Sequence, residues 1–505
     1  MKLNGFAKGT ITLCALMVIS KAIGAFYRLP LTYILGATGM GVYQTIFPVY
    51  SLLLAVSSSA APQALSKLIS EKHAKCDYVG ERQIMICGTI WLAVFGSICS
   101  LLIFILAKNL SCFQGNESIF ICYYAISPAI ILTALICAYR GYYQGHQNML
   151  PTGISNLDEQ VVKLVLGLVF AKLLIARGII WGVFGALLGV AASEFIALIY
   201  LAIKFFFFNH NKQSTICGLN FKHCSASLFR VCLPITIGGI IFPLVQFIDS
   251  GLIVNLLVKG GVSVQRATAY FGLSSGAVGS LVNLPVVISL SISSAVLPSI
   301  SANKAVKNQE KVKEVSTRGL LQVLFLVIPC AIGLFVFSDE FISILYAKAL
   351  TAEELDVCSR LLQIGAPGVI FLGILQVLSS VLQGQGRYYI PVIAILLGAI
   401  VKVVLNISLV QNVNINIFGD QIANVSCYLL ASVFCYIFAS KQIKASFWRE
   451  FAKIFVVSAL FGLSLYGISC LAFISNVYLL LVAIAIVAVL YLFVGYKLFV
   501  KNWLG

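Results

Sequence analysis

A chain of 505 residues that is 60% hydrophobic and only 10% charged, with a mean hydropathy of +1.01, is not a soluble protein, in which roughly a quarter of the residues carry charge. Apolar runs of membrane-spanning length recur from end to end and leave no room for the roughly three soluble domains that such a length would otherwise suggest. The net charge of +17 would suit nucleic-acid binding only if the cations shared a solvated face, and instead they fall in the short connections between apolar spans.

In chain order, Met1 to Gly9 carries Lys2 and Lys8 ahead of an apolar stretch of about 25 residues that contains Lys21 and Arg28. That length and those charges argue for a retained first helix over a cleaved leader. Spans are expected near Thr10–Leu35, which is this first helix, and near Val42–Leu68, Ile84–Ala107, Ile119–Tyr139, Ile154–Leu174, Ile179–Ile203 and Leu228–Val258. Then come Ala269–Ile300, Leu320–Phe337, Leu361–Leu382, Ile390–Val410, Ile422–Phe438, Ile454–Phe473 and Val477–Phe499, about fourteen helices in all. The fold class expected is an all-α integral membrane protein.

Of the 34 Lys and Arg residues, 23, with Arg140 among them, fall on the side of the N-terminus, 7 on the other side, and 4 at membrane depth. The positive-inside rule then puts both termini in the cytoplasm. Most of the fifteen cysteines lie inside apolar spans, where they serve as small hydrophobes. No CxxC occurs and the four histidines, His73, His146, His210 and His223, are scattered through loops, so no metal site is expected.

A duplication is visible. Gln144-Gly145, Pro151 and Lys163 recur as Gln383-Gly384, Pro391 and Lys402, with the lysine 19 residues after the glutamine both times (163 − 144 and 402 − 383). SSAAP ending at Pro62 resembles SSAVLP ending at Pro298, and Pro48 has a counterpart in Pro285. Two six-helix lobes in parallel repeat, 1–222 and 223–440, followed by two additional helices in 441–505, account for the pattern.

The charges left at membrane depth or at its edge are Lys21, Arg28, Lys163, Lys402, Asp158, Glu159, Glu194 and Asp249. A charge at a helix centre costs about 2.5–3.5 kcal/mol on insertion scales, so such residues face a cavity or a partner. Lys21 and Arg28, seven residues apart, share one helix face to within about 20°. The alternative is that Arg28 snorkels and Lys21 pairs with Asp249 or Glu194. Lys163 and Lys402 are equivalent in the two lobes and suggest a shared cavity, or else headgroup anchors. Glu159 stands four residues before Lys163, the spacing of an intrahelical ion pair. Glu159, Glu194 and Asp249 are candidates for ion coupling. Pro234, Gly238, Gly239 and Pro243 interrupt the seventh span, and Ser274, Ser275, Gly276, Gly279 and Pro285 the eighth, as in helices that line a cavity or pack closely.

The segment SKAIGAFYRLPLTYILGATGMGVYQ (Ser20 to Gln44) resembles the opening of the multidrug/oligosaccharidyl-lipid/polysaccharide exporter superfamily. YRGYYQGHQNMLPTGISNLDEQVVK (Tyr139 to Lys163), FIDSG around Asp249 and SSAVLPSIS around Pro298 are similar to motifs of its polysaccharide biosynthesis and stage V sporulation protein B group, related to MurJ-type lipid II flippases. The resemblance covers essentially the whole chain. It implies that Lys21 and Arg28 contact the diphosphate of a lipid carrier. Two departures stand out: Lys21 replaces an arginine, losing the bidentate fork, and the arginines that MurJ-type proteins carry in the second and eighth helices are absent.

The function expected is a flippase for an undecaprenyl-diphosphate-linked cell-wall or polysaccharide precursor, working by alternating access in the bacterial cytoplasmic membrane. Its partners would be the polyprenyl-diphosphate-linked sugar and membrane lipids, and not nucleic acid. Substrate would be held by Lys21, Arg28, Lys163 and Lys402. No cofactor is expected, and no phosphate loop of the GxxxxGK[ST] type occurs, so energy would come from the membrane potential or a proton or sodium gradient. An ion-coupled multidrug exporter on the same architecture is the alternative. A membrane-embedded glycosyltransferase would need an acidic site in a sizeable loop, and the acidic stretch from Asp339 to Asp356 reads instead as an external cap.

Overall fold

The computed structural model describes residues 3–209, 221–470, 477–495 and 497; Lys2, His210 and the expected span ends Phe473 and Phe499 lie outside them. The chain divides into two compact units, Met1–Val258 with Val262–Gly272, and Lys259–Gly261 with Leu273–Gly505. The first holds α1 (Leu3–Ser57), α2 (Ala61–Ala74), α3 (Tyr78–Phe113), α4 (Phe120–Gly145), α5 (Leu150–Leu174), α6 (Ile179–Asn209), α7 (Phe221–Lys259) and α8 (Val264–Phe271). The second holds α9 (Gly279–Ala305), α10 (Gln309–Val336), α11 (Ser338–Tyr346), α12 (Ala352–Gly384), α13 (Tyr389–Leu409), α14 (Phe418–Ala439), α15 (Phe447–Cys470) and α16 (Val477–Gly495).

Among the described residues, eleven stretches are long and apolar enough to cross a membrane. The first, Ile19–Ala74, takes in the expected span Val42–Leu68 and the greater part of Thr10–Leu35. α5, with Asp158, Glu159, Lys163 and Lys172, is too charged to stand among them, although its 25 residues are long enough. Surface and interior are inverted relative to a soluble protein: Ile105 and Phe207 are 72% and 73% exposed, while Gln114, Ser193, Ser250 and Asn406 are fully buried. Lipid as solvent demands this arrangement, because polar groups must find partners inside.

Helix boundaries follow from local chemistry. Asp77 caps α3 by accepting from Gly80 N–H at 2.9 Å, and the Lys72 ammonium beside it holds its carboxyl below the usual range. Thr351 and Glu354 form a reciprocal capping box on α12. Pro151 enters α5 in its first turn, where its missing N–H costs nothing. α7, expected to be interrupted, is one continuous helix through Gly238 and Gly239; a Cβ on Gly238 would meet nothing within 4 Å. The eighth expected span is interrupted, by a π-helical segment at Gly272–Val278.

The repeat appears as a recurring pattern of helix pairs. α5 packs on α6, α4 on α6, α3 on α4 and α2 on α4; α13 packs on α14, α12 on α14, α10 on α12 and α9 on α12. Gly145 approaches Ile69 so closely that a Cβ would stand 2.8 Å from its side chain, and Gly384 approaches Ile300 in the same way at 2.9 Å. The offset there is 231 (300 − 69), against 236 for Pro62 and Pro298, so that one sequence anchor slips by five residues. The cause is local: the chain breaks after Ser57 before α2 begins, whereas α9 continues through Pro298. α7 is tied into the first unit by Trp91 Nε1 donating to Ser225 Oγ (2.8 Å) and Gln114 Nε2 to Ser250 Oγ (3.0 Å). Compactness therefore draws its line near residue 272, whereas the duplicated sequence unit was drawn to begin at 223.

The two added helices pack on α10. Tyr491 of α16 donates to Phe325 carbonyl oxygen at 2.8 Å, and Gly462 of α15 lies against Ile332.

α1 bends sharply at Gly36, where φ is 66° and ψ −175°, a region essentially closed to residues with a Cβ. No atom would touch a Cβ there within 4 Å, so conformation alone opposes substitution. Gly36→Ala is expected to destabilise the protein by about 1–3 kcal/mol, read as a lowered unfolding midpoint in detergent; an unchanged midpoint would show that the bend does not depend on glycine.

Candidate functional site

The charges at membrane depth in the first unit converge on α4, α5 and α6. Arg140, near the end of α4, pairs through Nη2 with Glu159 Oε2 on α5 at 3.1 Å, with side chains 12% and 18% exposed. Its Nε donates to Ser155 Oγ at 3.0 Å. Gln160 Nε2 donates to Glu159 Oε1 at 3.0 Å, and Lys163 Nζ to Gln160 Oε1 at 2.5 Å. Lys163 also lies 5.8 Å from the ring centroid of Tyr27 on α1, within cation–π range.

Glu194 on α6 is buried. Its Oε1 accepts from Tyr50 O–H at 3.5 Å, and that hydroxyl is 3.3 Å from Thr133 Oγ1. Its Oε2 has no hydrogen-bond partner among the described residues. The fields of Glu159, Arg140 and Lys163 reach it, and that of Arg28 reaches Lys163 and Tyr43. Arg140 and Lys163 thus lie with Glu159 and Glu194, and Arg28 acts on this group through Lys163.

Of the residues expected to form the site, Lys163, Glu159 and Glu194 are brought together and half-buried Arg28 is within electrostatic reach. Lys21 is exposed on α1, seven residues before Arg28. Asp249 is buried on α7, beside the Ser250 that holds Gln114. Lys402 is buried in α13 of the second unit, thirteen residues after the first residue of its helix, as Lys163 is of α5 (402 − 389 and 163 − 150).

Three expectations need correction. Arg140 was assigned to a cytoplasmic loop, but α4 runs on to Gly145 and carries Arg140 into the network. Glu159 gives its carboxylate to Arg140, and Lys163 donates to Gln160 instead. The histidines are not all scattered either: His73 and His146 meet at Glu81, with the three ligand-capable atoms within 4.8 Å of one another. Sixty-five residues separate Glu81 from His146 (146 − 81), so no local spacing signals the cluster.

Apolar helices that enclose a few charges at depth are the pattern of a multi-pass membrane transporter. The sequence profile for "Polysaccharide biosynthesis protein" matches residues 6–304 and that for "Lipid II flippase MurJ" matches 162–493. The chain belongs to this family of flippases and transporters. It is 27% identical over 465 residues to stage V sporulation protein B of Bacillus subtilis (strain 168), covering 90% of this chain and 88% of that one. It is 25% identical over 430 residues to lipid II flippase MurJ of the same organism, covering 80% and 77%. The fold matches the solved structure of lipid II flippase MurJ in an inward closed conformation with a TM-score of 0.76, 16% identity, and 97% and 99% coverage. It matches an inward-facing multidrug resistance MATE family transporter with a TM-score of 0.68, 14% identity, and 85% and 95% coverage.

Removing one partner of a buried ion pair leaves an uncompensated charge and costs about 3–5 kcal/mol; the slight exposure of Arg140 and Glu159 puts them at the lower end. Arg140→Ala and Glu159→Ala are each expected to lower the unfolding midpoint in detergent. The double variant should lose clearly less than their sum, and strict additivity would show that the pair is not coupled.

Proposed function

We propose that this chain is a flippase for a polyprenyl-diphosphate-linked sugar, a cell-wall or polysaccharide precursor, in the bacterial cytoplasmic membrane, working by alternating access with both termini cytoplasmic. The observation that carries this is the gathering of Arg140 and Lys163 with Glu159 and Glu194 inside apolar helices, with Arg28 in electrostatic reach of Lys163. Cations held in such an apolar setting suit a diphosphate. Lys21 extends the cationic stripe along α1. The relatives named as a lipid II flippase and a sporulation protein support the same substrate class. No cofactor enters; an inside-negative potential is worth about 2.3 kcal/mol per charge per 100 mV.

A second reading, an ion-coupled drug exporter, is favoured by Glu194, a buried carboxylate with one oxygen left without a hydrogen-bond partner and so suited to carrying a proton. The readings part at the cations. In proteoliposomes given an undecaprenyl-diphosphate sugar, Arg28→Ala and Lys163→Ala should lose at least tenfold in translocation while membrane levels hold, and Lys163→Arg should recover part of it. Full translocation by both alanine variants would sink the diphosphate reading.

The orientation is tested separately. Reporters at Gly115, in the α3–α4 turn, and at Asn412, in the α13–α14 turn, should read outside, and one at Asn308, before α10, inside. Reversal at any two of the three overturns the orientation.

A further inference from the structure

At one end of the first unit, where the α2–α3 and α4–α5 turns lie, three helices bring together side chains that the transport reading does not use. His73 is in the last turn of α2, Glu81 in the first turns of α3, and His146 caps the C-terminus of α4. His73 Nδ1 lies 3.1 Å from Glu81 Oε2 and His146 Nε2 2.5 Å from Glu81 Oε1. Those two rings are the only partners of the Glu81 carboxylate among the described residues. The side chains of Glu81 and His146 are each 5% exposed and that of His73 is 43% exposed.

We infer that His73, Glu81 and His146 form a binding site for a divalent transition-metal ion of the zinc class. Three features carry this. First, His146 Nδ1 is 3.0 Å from the carbonyl oxygen of Tyr142, which can only accept, so Nδ1 bears a hydrogen and Nε2 is the nitrogen aimed at the Glu81 carboxylate. A ring nitrogen and a carboxylate oxygen 2.5 Å apart share a positive centre, which either a proton on Nε2 or a metal ion supplies, and the titration below separates the two. A backbone carbonyl bound to the far ring nitrogen is also the usual support of a metal-binding histidine.

Second, two imidazoles and a carboxylate from separate elements suit zinc and its neighbours, whereas calcium and magnesium prefer all-oxygen sets. Bonds of about 2.0–2.2 Å in a tetrahedron put ligand atoms roughly 3.4 Å apart, so an ion is accommodated by opening the His146 contact by about 1 Å. Third, α2 and α4 both end here, and helix C-termini carry partial negative charge that favours a cation. The nearby ammonium of Lys72 is already engaged by Asp77 at 2.7 Å. Half-exposed His73 leaves a solvent-side approach, and an ion held by all three would clasp α2, α3 and α4 together.

The test uses the purified full chain in detergent, stripped of metal with a chelator and titrated with Co2+ and then Zn2+. Expected are the visible d–d bands of nitrogen- and oxygen-ligated Co2+ at one equivalent, no near-ultraviolet thiolate charge-transfer band, displacement by Zn2+, and a higher melting temperature with Zn2+. Glu81→Gln and His146→Ala should weaken Co2+ binding beyond the roughly 10- to 100-fold that losing an outer-shell partner costs. His73→Ala, which removes the half-exposed ring, should do the same with the metal-free melting temperature unchanged. Cys76→Ser, which removes an exposed thiol three residues after His73, should change nothing. Absence of tight Co2+ binding, its persistence in His73→Ala, or its loss in Cys76→Ser would overturn the inference and leave the cluster as a protonated ion pair.

Discussion

The bilayer offers no partner to a buried charge, and the first unit is organised around that single constraint. Arg140 cannot sit inside α4 unless α5 brings Glu159 to it, and that pair fixes the height at which the two helices meet. Ser155 and Gln160 take up the remaining donors and acceptors of the pair and pass the connection to Lys163. Packing follows suit. α5 and α6 come so close that a Cβ on Gly189 would lie 2.3 Å from Gly167 Cα, and this approach brings Glu194 within the field of the pair.

The duplicated half shows what happens when the constraint is lifted. Applying the 239-residue offset of Lys163 and Lys402, Arg140 corresponds to Ser379 (140 + 239) and Glu159 to Gly398 (159 + 239). The ion pair has no counterpart, and the helices close over the gap: a Cβ on Gly398 would stand 2.8 Å from the carbonyl oxygen of Cys427 on α14. A buried carboxylate of the second unit is instead Asp420, held by Ser274 Oγ at 2.5 Å and Asn424 Nδ2 at 3.3 Å. The units share a pattern of helix pairs but not a charge chemistry.

Much of this was legible in the sequence, for a physical reason. Hydropathy is written locally, so most expected spans fall on a helix, although Val42–Leu68 runs from α1 into α2 and Ala269–Ile300 crosses the π-helical segment, and Lys163, Glu159, Glu194 and Asp249 stand out as charges in apolar runs. Arg140 was hidden because it lies at the end of a run, where hydropathy cannot separate a helix that stops at Tyr139 from one that reaches Gly145. Asp420 was hidden in the same way, two residues before the start of its expected span and yet buried in the first turn of α14. The His73, Glu81 and His146 cluster depends on tertiary contact alone.

The wide turn at Gly272–Val278 has a consequence for how this chain can vary. A π-helical turn bonds residue i to i+5 and accommodates one residue more than the helix around it would. It therefore acts as a phase shifter: removing one residue there would restore regular α-helix and rotate everything downstream in α9 by about 100°. Ser274, which meets Asp420 from within the turn, would swing away. Single-residue length changes, usually harmless only in loops, are thus confined here to a segment where they would re-aim an entire helix, and Ser274 with Asp420 marks the setting that the present sequence keeps.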